Sequence, residues 1–136
     1  MKAKIRMGGF TLTVQKVSRS VEFYTKKLGF TCVWNAAPHF ALIRIGGLNG
    51  GSIGLLSWNE AKKDGCTKTT AKQKRNIHVE LSTDNLDKLY KELLKKKVKF
   101  HTPPHDEPWE RSATAFDPDG YSVEFTEGRR GKKKKK

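Results

Sequence analysis

Only two cysteines occur among 136 residues, Cys32 and Cys66, in different segments and without CxxC or Cys/His spacing. That excludes a disulfide framework and a zinc knuckle, and both are expected as free thiols. Long apolar runs are also missing: no stretch reaches the roughly 20 residues that a bilayer crossing needs. The opening MKAKIRMGGF lacks the apolar core of a signal peptide. A soluble, cytoplasmic protein without membrane contact is expected. No GxSxG elbow, HExxH helix or phosphate-binding glycine loop appears. The glycine-rich GGLNGG joins two strand patterns and lacks the lysine and helix of a phosphate cradle, so a flexible hairpin loop is expected there.

Acidic residues are few, 14 against 28 lysines and arginines, which gives a net charge of +14. The excess is uneven, because the terminal GRRGKKKKK alone carries seven positive charges and no negative one. Such a block repels itself, is expected as a disordered basic tail over residues 128–136, and adheres to polyanions weakly and salt-sensitively. The rest of the excess is spread over solvated faces such as KELLKKK. A cationic body favours neutral or anionic ligands over strongly cationic ones.

What is present is one pattern written twice. Phe10, Leu12 and Val14 alternate with Gly9, Thr11 and Thr13, the period of a half-covered strand. Ser18 is placed to cap a helix whose apolar stripe is Val17, Val21, Tyr24 and Leu28, ended by Gly29. Strands are predicted over Thr31 to Asn35, Phe40 to Ile45 and Ser52 to Ser57. Residues 58–75 are polar and aperiodic, a linker. The pattern then returns: Ile77, Val79 and Leu81 alternate with Asn76, His78 and Glu80, Asp84 is placed as a cap, and Leu86, Leu89 and Leu93 form a stripe. HTPPHDEPW is expected as a proline-stiffened loop. Ser112 to Phe116 pairs with Tyr121 to Thr126 across Asp117-Pro118-Asp119-Gly120. Each half is β-α-β-β-β, over residues 6–57 and 76–127, and function is expected between the halves.

SRSVEFYTKKLGF, DNLDKLYKELLKKKVKF and EPWERSATAFDPDGYSVEF resemble the vicinal oxygen chelate superfamily, which includes glyoxalase I, extradiol dioxygenases, fosfomycin-modifying enzymes and bleomycin-binding resistance proteins. The resemblance implies an α+β fold in which two β-α-β-β-β modules form curled sheets around a central cavity. The strand faces carrying Thr11, Thr13, Asn76, His78, Glu80, Ser122, Glu124 and Thr126 would line it.

The resemblance also implies a divalent metal, held by donors that carry over to Gly9, Gly54, Asn76 and Glu124. Only Glu124 keeps a metal-binding side chain, and one carboxylate does not hold a catalytic ion. His78 shares a strand face with Asn76, and together with Glu124 and His39 it would make two imidazoles and a carboxylate. His101 and His105 lie on the predicted loop without a partner at ligand spacing.

No metal and no cofactor is therefore expected. Family members lacking a metal commonly bind their ligand rather than transform it. The expected function is sequestration of a neutral or anionic aromatic compound by Thr11, Thr13, Trp34, His39, Phe40, Asn76, His78, Trp109, Arg111 and Glu124, in a homodimer that covers exposed sheet edges. Trp58 is a further aromatic on the rim. The alternatives are a divergent metal-dependent lyase, isomerase or dioxygenase, with His78 and Glu80 as base and acid, and polyanion binding through the lysine tail.

Overall fold

Alternation sets the strands of the first half. A computed structural model describes residues 3–5, 7–46 and 50–128, and it places β1 at Phe10–Val14, α1 at Val17–Glu22, β2 at Thr31–Ala36, β3 at Phe40–Arg44 and β4 at Ser52–Ser57. The strands form one sheet in the order β1-β4-β3-β2, with β1 parallel to β4 and the other pairs antiparallel. Leu12, Val14, Ala41, Ile43, Ile53 and Leu55 are buried on the face that α1 covers, together with Val17, Ser20, Phe23 and Tyr24 of the helix. Burying each large aliphatic side chain contributes about 1.5–3 kcal/mol.

The helix starts differently from the expectation. Lys16 is its N-cap, without a side-chain bond, and Ser18 lies inside the first turn. From Phe23 to Lys27 the helix widens into a π turn, in which Leu28 N–H donates to Phe23 O and Thr25 Oγ1 to Val21 O. Gly29, at φ 82°, then takes the left-handed conformation that ends it.

Residues 58–75 are more ordered than a linker. They hold α2 (Trp58–Ala61), extended by a 3₁₀ turn over Lys62–Asp64, and α3 (Ala71–Arg75). Ser57 caps α2 by accepting from Glu60 N, and Thr70 and Gln73 form a capping box on α3. Local capping accounts for both helices, which is why apolar periodicity does not reveal them. The chain divides into two compact units between Lys68 and Thr69.

The second unit repeats the topology of the first. β5 (His78–Ser82), α4 (Leu86–Lys95), β6 (Phe100–Asp106), β7 (Glu110–Phe116) and β8 (Ser122–Gly128) make a sheet ordered β5-β8-β7-β6, with β5 parallel to β8. Val79, Ala113, Ala115, Val123 and Phe125 are buried with Leu86 and Leu93 of α4, and Phe100 packs edge-on against Tyr90 at 4.8 Å. Asn85, not Asp84, caps α4 by accepting from Lys88 N, while Glu127 Oε1 on β8 accepts from Leu86 N.

HTPPHDEPW is not a loop in its first half: Pro103 and Pro104 sit inside β6. An edge strand tolerates residues without an N–H, and two register shifts mark where the ladder adapts. The reversal between β7 and β8 is as expected. Asp117 Oδ1 accepts from Asp119 N and Tyr121 N, and Gly120 takes φ 96°. Among the described residues no helix is long and apolar enough to cross a membrane. The basic tail, apart from Gly128, lies outside the described residues.

Candidate functional site

On the face of the second sheet away from α4, pairing across β5, β8 and β7 makes the rows His78, Ser122, Phe116, then Glu80, Glu124, Thr114, then Ser82, Thr126, Ser112. Apart from Phe116, the apolar residues of these strands occupy the other face, so alternation collects the polar groups here. Ser112, Thr114, Ser122 and Thr126 are buried, and none of the described buried side-chain polar atoms lacks a hydrogen-bond partner. His78, Glu80 and Ser82 on the same face are exposed, and Glu110 and Glu124 are half-buried.

Three carboxylates converge on this face. One ligand-capable oxygen from each of Glu80, Glu110 and Glu124 lies within 4.8 Å of the others. His78 Nδ1 stands 3.3 Å from Glu124 Oε1. Partial burial, then the charges of Glu124 and Glu80, push the Glu110 carboxyl above its usual range and bias it toward the protonated form. His101 is pushed down, mainly by burial and further by His78 and Arg75, and its ring packs 4.7 Å from that of Phe116. Glu110 was not singled out in the sequence, yet its phase holds it: Glu110, Ser112 and Thr114 alternate with Arg111, Ala113 and Ala115.

The family's metal positions fit poorly. Gly9 and Gly54 carry no donor, and Asn76 caps the end of α3, two residues before β5 begins. His78 is the residue that opens β5 on the face of Glu124. The set that does converge is Glu80, Glu110 and Glu124, three carboxylates of the kind hard divalent ions accept, with His78 beside Glu124. His39 lies in the first unit, where its Nδ1 is 2.7 Å from Glu60 Oε2. Lys63 and then His39 hold the Glu60 carboxyl below its usual range.

The face of the first sheet away from α1 is largely apolar. Thr11 pairs with Gly54, Gly54 with Leu42 and Leu42 with Trp34; the next row is Thr13, Leu56, Phe40 and Ala36. Phe40 is half-buried and Trp34 is 61% exposed. Thr11, Thr13, Trp34 and Phe40 thus share one face.

Other predicted site residues are placed elsewhere. Arg111 lies on the α4 side of its sheet, where Nη2 is 2.9 Å from Asp87 Oδ1 and Nη1 is 3.2 Å from Asp106 Oδ1. It ties α4 to β6, and both partners raise its pKa further. Trp109 is exposed in the turn between β6 and β7. His105 commits both ring nitrogens, to the Pro103 carbonyl and to Glu107, and the first of these does most to raise its pKa.

Residues 6–125 match the model of the Glyoxalase/Bleomycin resistance protein/Dioxygenase superfamily. The chain belongs to this superfamily. Solved structures share its fold. A hypothetical protein, SA1046, from S. aureus aligns with a TM-score of 0.75 at 20% identity, covering 91% of this chain and 95% of that one. A glyoxalase/bleomycin resistance protein/dioxygenase from Nocardioides aligns at 0.72 and 24% identity, covering 92% and 85%. TnmS3, an antibiotic binding protein from Streptomyces sp. CB03234, aligns at 0.70 and 21% identity, covering 93% and 98%. Among curated proteins none matches the chain in sequence.

Proposed function

We infer that this superfamily member binds a small aromatic molecule without transforming it, and that it holds a basic group of that molecule against the carboxylates of the second sheet. The supporting observation is the convergence of Glu80, Glu110 and Glu124. Like charges at this separation repel unless a proton or a cation comes between them, and the Glu110 carboxyl is pushed up first by burial and then by this repulsion.

This revises the neutral or anionic ligand expected from net charge. Screening confines a charge's influence to about 8 Å at physiological salt, so the local carboxylates outweigh distant lysines. Half of the excess charge also belongs to residues 129–136. Phe40 and Trp34 share one face of the first sheet and give that unit an aryl surface of its own. The antibiotic-binding relative has the same fold.

The test is a tryptophan-quench titration in chelator, with an arylmethylammonium compound set against the neutral alcohol and the carboxylate of the same ring. Preferred binding of the ammonium, reduced at least about tenfold in Glu110→Gln or Glu124→Gln, supports the reading. Equal binding of all three compounds contradicts it.

A second reading is favoured by the same donors together with His78. It is a divergent metal-dependent lyase, isomerase or dioxygenase, in which these four side chains hold a hard divalent cation that polarises a substrate oxygen. Stoichiometric Mn²⁺ or Mg²⁺ in titrations, lost in Glu124→Gln, distinguishes it. A homodimer, a cytoplasmic location and weak polyanion contact through residues 128–136 complete the proposal; light scattering and salt-dependent nucleic-acid binding of a tail-deleted chain test the first and last.

A further inference from the structure

Gly54 sits inside β4 without a positive φ, so its backbone conformation does not require glycine. Space does. A Cβ at this position would stand 2.8 Å from Thr11 Oγ1 and 3.1 and 3.3 Å from Cε1 and Cζ of the Phe40 ring. Register explains both contacts: Thr11 is the direct partner of Gly54 on β1, and Phe40 lies two residues along β3 from Leu42, the direct partner on the other side. The ring leans diagonally over the glycine, an arrangement that shields strand backbone. Phe40 nevertheless remains half-buried, and Leu42, Leu56 and the exposed Trp34 continue the same apolar face.

Gly54 is also the position to which the first half's glutamate donor carries over. We propose that Phe40 has been built into the volume of that donor, so that this half presents an aryl surface in place of a ligand atom. Phe40, with Trp34 on the same face, then gives the first unit its own preference for a flat aromatic group. This rests on the small-molecule reading above for its second clause only. The first clause has its own consequence: a glutamate restored at Gly54 must turn the Thr11 hydroxyl and shift the Phe40 ring before its carboxylate can serve as a donor.

A double-mutant cycle with Gly54→Ala, Phe40→Ala and both together tests the contact by thermal unfolding. Gly54→Ala is expected to lower the midpoint by about 3–5 °C through overpacking, and the loss is expected to shrink in the Phe40→Ala background. Gly54→Glu should destabilise further and take up no more Mn²⁺ than wild type. In quench titrations Phe40→Ala should weaken a naphthylmethylammonium probe about tenfold while weakening its cyclohexyl counterpart much less, since aryl pairs gain beyond their buried area.

Additive unfolding effects, or a Gly54→Glu variant that melts with wild type and gains stoichiometric Mn²⁺, would overturn the displaced-donor clause whether or not any organic ligand binds. Equal weakening of the aryl and cyclohexyl probes would overturn the selectivity clause. Absence of binding by either probe in wild type would overturn that clause together with the small-molecule reading, and leave the unfolding cycle to judge the first clause alone.

Discussion

Replacing Glu110 by glutamine should stabilise the protein at neutral and alkaline pH. Glu110 shares a space of at most 4.8 Å with carboxylate oxygens of Glu80 and Glu124. Two unit charges 4.8 Å apart repel by about 0.9 kcal/mol in bulk water and about 3.5 kcal/mol at an effective dielectric constant of 20. Glu80 is exposed and the other two are half-buried, so the lower figure governs and solvent discounts it further. Relief from two such neighbours comes to about 1 kcal/mol at low salt.

The pH dependence follows from the direction of the shift. The folded-state pKa of Glu110 is raised above the ordinary 4.5, so its ionisation costs stability as pH rises through the folded value. Below the ordinary value the group is protonated in both folded and unfolded chains, and the cost vanishes. The advantage of Glu110→Gln should thus be full at pH 8, closed near pH 3.5, and reduced by 0.5 M salt. Urea unfolding of both proteins under these conditions measures it. A variant less stable than wild type at pH 8, or an advantage that persists unchanged at low pH, would refute the reasoning.

Other perturbations separate structure from binding. Leu55→Ala, at a fully buried position of β4, should cost about 3 kcal/mol in urea unfolding. Arg111→Met should cost roughly 1 kcal/mol, because Asp87 and Asp106 lose a shared but largely exposed partner, and should leave ligand quench unchanged. Glu127→Gln should cost about 1 kcal/mol by weakening the acceptor at the start of α4, which hydrogen exchange at Leu86 would reveal as faster opening.

Strand phase made much of this architecture legible in the sequence. The alternation of Leu12 to Val14 and of Val79 to Leu81, the Leu86 and Leu93 stripe of α4 and the DPDG reversal appear where periodicity and turn chemistry place them, whereas Phe10 and Ile77, expected on the covered face, are exposed. Polar phase alone assigned Glu80 and Glu124 to one face. What escaped depends on long-range geometry. Arg111 looked like a ligand contact because of its neighbours in sequence, yet its phase points it toward Asp87 on α4, twenty-four residues away.

Edge position in the sheet decides whether prolines break a strand, and nothing local announces that Pro103 and Pro104 sit on such an edge. Asn76 looked like the first residue of a strand. The capping box at Thr70 and Gln73 instead makes it the end of a helix and leaves His78 to open β5. The gathering of Glu110 with two carboxylates from other strands requires knowing the order β5-β8-β7-β6, which composition and spacing do not give.

Isothermal titration of wild-type protein with an arylmethylammonium compound, in excess chelator and again with added Mn²⁺, bears most directly on the small-molecule reading. Saturable binding in chelator, weakened by Mn²⁺ competing for Glu80, Glu110 and Glu124, is the predicted result. Binding that appears only once the divalent ion is supplied would contradict it.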